Sequence, residues 1–181
     1  AKKSTSEKIS KMSGKKMSLR YAVEDSKNGC AYSLYNIITP KVGLSYIENM
    51  NFSKIVQQDY TLSSGLGGLH HGTNTVEMAN AYSTLENHGE YRQADCISSI
   101  LDASGNEIYE EPESKTVYTR SASDQMTDIL EGVLNSSAGT AKGLKWSSAS
   151  DVAAAAKTGT TNDNNVAWFC GYTPYYTISV L

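Results

Sequence analysis

Lys157-Thr158-Gly159-Thr160-Thr161 stands between two apolar runs, residues 152–156 and residues 166–172. A polar turn separates this stretch from the second run, and the order of run, turn and run predicts an antiparallel β-hairpin. A glycine beside a lysine lets a ligand approach the backbone next to a cation, because glycine has no Cβ. The neighbouring threonine hydroxyls can bind a carboxylate. The sequence therefore predicts a strand that recognises an anion, with a plain surface strand as the alternative.

A second motif, Ser26-Lys27-Asn28, lies far upstream of the first. The pairing of S-x-N with K-T-G is typical of penicillin-binding proteins and serine β-lactamases. Longer strings at residues 18–23, 66–82 and 157–174 add to this pattern. Together they make the chain resemble the transpeptidase domain of class A (bifunctional) penicillin-binding proteins from Ser18 onward.

The resemblance implies an α+β fold of the penicillin-binding protein and serine β-lactamase type. An antiparallel sheet flanked by helices would stand beside a helical lobe that holds Ser26, with the active cleft between them. Residues 153–156 are four alanines, whose propensity alone predicts helix. The resemblance places them on a strand instead. Residues 1–17 are predicted to be a basic flexible arm, and residues 18–181 a partial transpeptidase domain.

The resemblance also implies roles for the residues of both motifs. Ser26 and Lys157 would be catalytic: Ser26 passes a proton to the leaving group, and Lys157 sets a positive potential. Asn28 would hold the amide of the acyl-donor peptide. The remaining substrate-binding residues would be Thr158, Gly159 and Thr160, with the two hydroxyls on the ligand carboxylate and the Thr160 N–H as an oxyanion donor.

The nucleophile of this family is the serine of an S-x-x-K motif, because a seryl hydroxyl needs a neighbouring base. Ser13-Gly14-Lys15-Lys16 matches the S-x-x-K pattern. Ser13 lies only 26 − 13 = 13 positions before Ser26, however, whereas the family has several tens of residues between the two motifs. Gly14 also weakens a helix there. We therefore expect the nucleophile helix to precede Ala1 in a longer protein. His70 and His71 are interpreted as loop residues without a catalytic role.

The implied function is D-Ala-D-Ala transpeptidation, which cross-links peptidoglycan stem peptides through a serine acyl-enzyme at the extracytoplasmic face of a bacterial membrane. The same cleft would bind β-lactam antibiotics, and no cofactor is implied. One alternative is a D,D-carboxypeptidase or serine β-lactamase, in which water replaces the acceptor amine. Another is a non-catalytic binding or scaffold fragment, since the chain lacks a convincing nucleophile.

Composition agrees with a single medium-sized domain, since the chain has 181 residues of which 39% are hydrophobic. The net charge is −3, but residues 1–20 hold seven Lys/Arg and one acid, which leaves −9 for the rest. This arm could contact an anionic surface or stay solvated. A pI near 5.6 argues against nucleic acid as a partner. Mean hydropathy is −0.41, so any membrane attachment is expected through segments outside this chain.

The three cysteines, Cys30, Cys96 and Cys170, have no C-x-x-C spacing and predict no metal site. We interpret all three as small buried hydrophobic residues. Periodicity and capping residues predict the helices and strands along the rest of the chain. A first helix is expected to start at Ser18, and a second is expected at residues 31–38, where Pro40 stops it. Further helices are expected at residues 42–50, after a cap at Thr73 or Asn74, and at residues 121–134. A hairpin is expected between residues 96–101 and 107–110, with a short strand at residues 116–118.

Overall fold

An antiparallel sheet and the helix packed against it form the centre of the fold. The computed structural model describes residues 17–144, 152–161 and 166–181. Its helices are α1 (Leu19–Glu24), α2 (Asn28–Ile38), α3 (Pro40–Asn49), α4 (Thr75–Glu86) and α5 (Arg120–Asn135), with short 3-10 turns at Gln57–Asp59 and Leu62–Leu66. Its strands are β1 (Glu90–Tyr91), β2 (Lys115–Thr116), β3 (Ala155–Thr160), β4 (Ala167–Tyr172) and β5 (Thr177–Val180).

The main sheet has the order β3-β4-β5, and both pairs are antiparallel. Lys157 lies opposite Cys170, and Thr160 lies opposite Ala167. The predicted hairpin is therefore confirmed, with Ala155 and Ala156 in the strand. The strand assignment of Ala153 and Ala154 is wrong, because the ladder begins at Ala155. Ala155 and Ala156 are buried, at 2% and 1% exposure, because α5 packs against β3. Burial between a partner strand and a helix overrides the helix propensity of alanine.

The core lies between α5 and the sheet. Leu130 and Val133 of α5 pack with Ala141, Ala155 and Tyr172. The helical lobe is attached to α5 from the other side, where Arg20 of α1 donates to the backbone carbonyl of Asp128 at 2.8 Å. Within the described residues, no helix combines the length and apolar character needed to cross a bilayer.

The start of α1 follows the predicted cap, since the Tyr21 N–H donates to the Ser18 hydroxyl at 3.1 Å. The next helix begins at Asn28, three positions earlier than the predicted Ala31. Residues 25–27 alone make the turn between the two helices. Of the predicted basic arm, only Met17 is described, and its sulfur lies 3.3 Å from the Cys30 sulfur.

Pro40 starts a helix as well as following one. It occupies the first turn of α3, where its missing N–H is not needed. The break between α2 and α3 is at Thr39, whose φ is +77°. The prediction of an end at Ile38 is confirmed, whereas α3 begins two positions before the predicted residue 42.

The predicted cap of α4 is confirmed, because the Glu77 N–H donates to the Asn74 side chain at 2.9 Å. Glu77 stands three positions after Asn74, as in a capping box, and its carboxylate also reaches the loop before the helix. The Glu77 carboxylate accepts from the Ser53 N–H at 2.9 Å and from the Thr73 hydroxyl at 2.8 Å. Through these bonds Glu77 ties the preceding loop to the start of α4.

Two predictions fail in the region between α4 and α5. The hairpin of residues 96–101 and 107–110 is reduced to one bridge, Leu101 with Glu107, while the ladder there joins β1 to β2. Leu101 and Ile108 are more than half exposed, so no apolar face stabilises longer strands. Cys96 is exposed in the same region, which contradicts its predicted burial, whereas Cys30 and Cys170 are buried as predicted.

Candidate active site

A hydrogen bond joins the two sequence motifs. The Lys157 ammonium donates to the Ser26 hydroxyl at 2.8 Å and to the Thr158 carbonyl at 2.8 Å. Lys157 and Ser26 are 131 positions apart, so the bond depends on the whole fold. Burial lowers the pKa of Lys157 from its ordinary value, because desolvation disfavours the charged form.

Ser26 sits at a strained point of the backbone, with φ of +52°. This left-handed conformation ends α1, and the Lys27 N–H closes the turn by donating to the Ala22 carbonyl at 2.8 Å. Glycine usually occupies such a position, and a residue with a Cβ costs about 1 kcal/mol more. Backbone strain of this kind is often found at functional sites, where neighbouring structure holds it in place.

Asn28 lies beside this turn as the first residue of α2, with an exposed side chain. Asn28, Ser26 and Lys157 all line one cavity of about 240 Å³, so the structure brings the two motifs together. Lys27, between the two motif residues, also lines this cavity. Its side chain is 45% exposed and pairs with Asp25 at 2.7 Å.

The rest of this cavity is mainly apolar. Its walls come from α1, α2 and the 3-10 turn that contains Gly65. The apolar and aromatic lining residues are Leu19, Ala22, Val23, Cys30, Ala31, Leu34, Tyr35 and Ile38. A mainly apolar lining with a few polar groups suits a ligand that has both a charged end and an apolar body.

The other residues of the K-T-G motif lie on β3, which is an edge strand of the described sheet. Thr158 and Gly159 are partly buried, and Thr160 is exposed. A Cβ on Gly159 would lie 3.3 Å from the Trp168 Cβ, so the residue packs closely on β4. The Thr158 hydroxyl lies 2.7 Å from the hydroxyl of Thr140.

Thr140 is a site neighbour that the sequence did not indicate. Nothing in the sequence pattern of residues 138–143 points to a contact with β3. The structure places Thr140 after the end of α5, with its backbone N–H on the Glu24 carbonyl at 3.2 Å. Only the three-dimensional path of this segment brings its hydroxyl to Thr158.

His70, His71 and Ser13 are the remaining sequence candidates. The backbone N–H of His70 donates to the Asp59 carboxylate, and the His70 ring packs on the His71 ring. Neither histidine is among the residues that line the cavity. Ser13 lies outside the described residues. In the part of the chain that the structure describes, no group of three or more His, Cys, Asp or Glu side chains could hold a metal ion.

Comparison with known sequences identifies relatives. The chain matches the family model of the penicillin binding protein transpeptidase domain over residues 2–181. Penicillin-binding protein 1A of Clostridium novyi is 34% identical over 166 residues, which are 91% of this chain and 19% of that protein. Penicillin-binding protein 4 of Bacillus subtilis is 31% identical over 165 residues, which are 91% of this chain and 26% of that protein. The chain thus spans about a fifth to a quarter of these relatives' length.

Comparison with solved structures supports the same fold. Penicillin-binding protein 1A from Haemophilus influenzae superposes with a TM-score of 0.74 at 18% identity, covering 90% of this chain and 29% of that one. PonA1 from Mycobacterium tuberculosis, in complex with penicillin V, superposes with a TM-score of 0.73 at 20% identity, covering 89% of this chain and 46% of that one. The predicted α+β fold of the penicillin-binding protein type is confirmed. The chain belongs to the family of penicillin-binding protein transpeptidase domains, as a segment of the class A type.

Proposed function

We propose that this chain forms part of a D-Ala-D-Ala transpeptidase. The enzyme cross-links peptidoglycan stem peptides through a serine acyl-enzyme and binds β-lactams in the same cleft. The observation that carries the proposal is the 2.8 Å hydrogen bond from Lys157 to Ser26, which joins the K-T-G and S-x-N motifs at one cavity. We place the reaction at the extracytoplasmic face of a bacterial membrane, where peptidoglycan is assembled.

Ser26 is suited to carry a proton. A hydroxyl has one proton and two lone pairs, and Ser26 uses one lone pair to accept from Lys157. Its own proton therefore remains available for a leaving amine. The lowered pKa of Lys157 brings the ammonium closer to giving up a proton, so the pair can restore the Ser26 hydroxyl after each transfer.

Lys157 also attracts the ligand, because a partly buried cation acts on a carboxylate with less screening than one in water. Thr158 and Thr160 would donate their hydroxyls to that carboxylate. Asn28, which also lines the cavity, would hold the donor peptide's amide with both ends of its side chain. The Thr160 N–H would stabilise the oxyanion, and Gly159 leaves the backbone open to the ligand.

Acylation also requires a nucleophile within attacking distance of the carbonyl. We place it on an S-x-x-K helix in a segment that precedes this chain in the encoded protein. The relatives are several times longer than this chain, which leaves room for such a segment. Recognition residues and the proton carrier would then come from this chain, and the acylated serine from the other segment.

Mass spectrometry after incubation with a reactive penicillin tests the proposal. We expect no covalent adduct on the 181-residue chain and one stoichiometric adduct on a version extended upstream through the S-x-x-K helix. Because a short chain that fails to fold would also remain unmodified, the decisive variants are made in the extended version. Ser13→Ala should leave the adduct intact, and peptide mapping should place it on the upstream serine.

An adduct that is lost with Ser13→Ala would make Ser13 the nucleophile. An adduct mapped to Ser26 would overturn the role of proton carrier given to that residue. Product analysis separates the alternatives: transfer to an added amine supports transpeptidation, release to water alone indicates a carboxypeptidase or β-lactamase, and no turnover of either kind indicates a binding fragment.

A further inference from the structure

The segment after α5 contacts both sides of the cleft through one residue, Thr140. Its backbone N–H donates to the Glu24 carbonyl at the end of α1, and its hydroxyl lies 2.7 Å from the Thr158 hydroxyl on β3. The segment is anchored behind it, because buried Ala141 donates its N–H to the Val133 carbonyl at 3.0 Å. Thr140 is therefore held in place independently of its own hydroxyl.

The number of protons on the two hydroxyls decides what this contact can do. Each hydroxyl has one proton to donate, so only one of the two can donate across the 2.7 Å contact. If Thr158 donated to Thr140, it would have no proton left for a ligand. A carboxylate can only accept hydrogen bonds, so it is recognised by Thr158 only when Thr140 is the donor between the two.

We propose that Thr140 is a positioning residue that donates to Thr158 and thereby sets the preference of the cleft for ligands that end in a free carboxylate. This inference rests on the proposed function of the same site. The donated bond fixes the rotation of the Thr158 hydroxyl and directs its proton to the ligand. It also polarises that hydroxyl, and hydrogen bonds in such chains strengthen one another.

Thr140→Val in the complete encoded protein isolates the hydroxyl. Valine keeps the branched shape and the backbone N–H to the Glu24 carbonyl, and position 140 is exposed, so little repacking is needed. The measurement is the second-order rate of acylation by a penicillin with its free carboxylate and by the methyl ester of the same penicillin. Loss of one net hydrogen bond corresponds to roughly a 2- to 12-fold slower reaction with the carboxylate form.

The ester should lose less, because a neutral carbonyl accepts a weaker hydrogen bond than a carboxylate does. The ratio of the two rates, carboxylate over ester, should therefore fall in Thr140→Val. Thr140→Ser, which keeps the hydroxyl, should restore the ratio. Thr140→Ala also removes the hydroxyl, so it should lower the ratio as Thr140→Val does.

The matched control is Thr127→Val. Thr127 forms the same kind of contact, with its hydroxyl 2.8 Å from that of Tyr172, but on the core side of α5 and β4. It should leave the ratio unchanged. An unchanged ratio in both Thr140→Val and Thr140→Ala, or an equal loss of rate with both ligands, would overturn the role of Thr140. A wild-type protein that shows no preference for the carboxylate would instead contradict the proposed function.

Discussion

Lys157 combines a charge with partial burial, and the two effects oppose each other. Its ammonium has two acceptors at 2.8 Å, the Ser26 hydroxyl and the Thr158 carbonyl. Neither acceptor carries a full negative charge, so they offset only part of the desolvation cost. The lowered pKa of Lys157 is the result, and it makes the stability of the fold depend on pH.

The direction of that dependence follows from proton counting. Between the lowered pKa of folded Lys157 and its ordinary value of 10.5, the unfolded chain binds more protons than the folded one. The free energy of unfolding should therefore rise with pH through this window, relative to a variant that lacks the lysine. Urea unfolding of the wild-type protein and Lys157→Met between neutral pH and 10.5 measures the difference.

Lys41→Met, at an exposed position of α3, is the control for losing a lysine charge. A difference between the wild-type protein and Lys157→Met that falls as pH rises would contradict the assignment. Below the lowered pKa of folded Lys157, the difference between the two proteins should be constant with respect to this group.

Individual site residues were predictable to different degrees. Ser26, Asn28 and Lys157 belong to short motifs, and a motif is visible in the letters of a sequence. Thr140 belongs to no motif, because its contact with Thr158 depends on how the chain turns after α5. The strain at Ser26 was also invisible, since serine is an ordinary turn residue and its φ of +52° is set by the closure of the turn.

Tyr35 acts as a wedge between helix α3 and the 3-10 turn beside it. Its ring occupies the space that two glycines leave open: a Cβ on Gly43 would lie 2.2 Å from the ring, and one on Gly65 would lie 2.4 Å from it. The Tyr35 hydroxyl also contacts the Ser64 hydroxyl at 2.9 Å. Because Tyr35 and Gly65 line the cavity, this wedge positions one of its walls.

The effect of Gly43→Ala on the free energy of unfolding should change sign when the Tyr35 ring is removed. In a helix the change to alanine ordinarily stabilises by up to about 1 kcal/mol, but here the new Cβ meets the Tyr35 ring and we expect a destabilisation of about 1–3 kcal/mol. In a Tyr35→Ala background the ring is absent, so Gly43→Ala should stabilise. Unfolding free energies of the four proteins give this coupling as a double-mutant cycle.

Gly29→Ala is the matched control, because a Cβ at Gly29 of α2 would meet nothing within 4 Å. It should be neutral or stabilising in both backgrounds. A stabilising Gly43→Ala in the presence of Tyr35 would show that the ring moves aside easily and does not fix the wall.

Helices and strands were predictable where local signals and packing agree. Asn74 caps α4, and α5 runs from Arg120 to Asn135, within one residue of its predicted ends. The bond from Ser53 to Glu77 was not predictable from the local pattern, because Ser53 is distant in sequence. Ala155 and Ala156 could be assigned to a strand only from the family resemblance, since their burial under α5 is a tertiary effect.

One core holds the two sides of the cleft at a fixed distance. Helix α5 packs on β3 with one face and contacts α1 with another, so its position determines where Ser26 and Lys157 meet. Leu130 is the largest aliphatic side chain of the buried cluster and is 3% exposed. The stability of the site is therefore linked to the stability of this core.

Leu130→Ala should lower the free energy of unfolding by about 2–5 kcal/mol, because it removes buried methyl groups and leaves a cavity. Leu101→Ala, where the side chain is 58% exposed, should change it by about 0.5 kcal/mol or less. Thermal unfolding of the complete domain measures both. Equal effects of the two changes would show that α5 is not packed as described.

The 131 positions between Ser26 and Lys157 also impose a delay during synthesis of the protein. At typical rates of translation of about 5–20 residues per second, Ser26 leaves the ribosome roughly 7–26 s before Lys157 does. Throughout that interval the apolar wall of α1 and α2 lacks β3. This wall therefore stays uncovered until the last strands of the chain have been made, and a translational pause before β3 would prolong that interval.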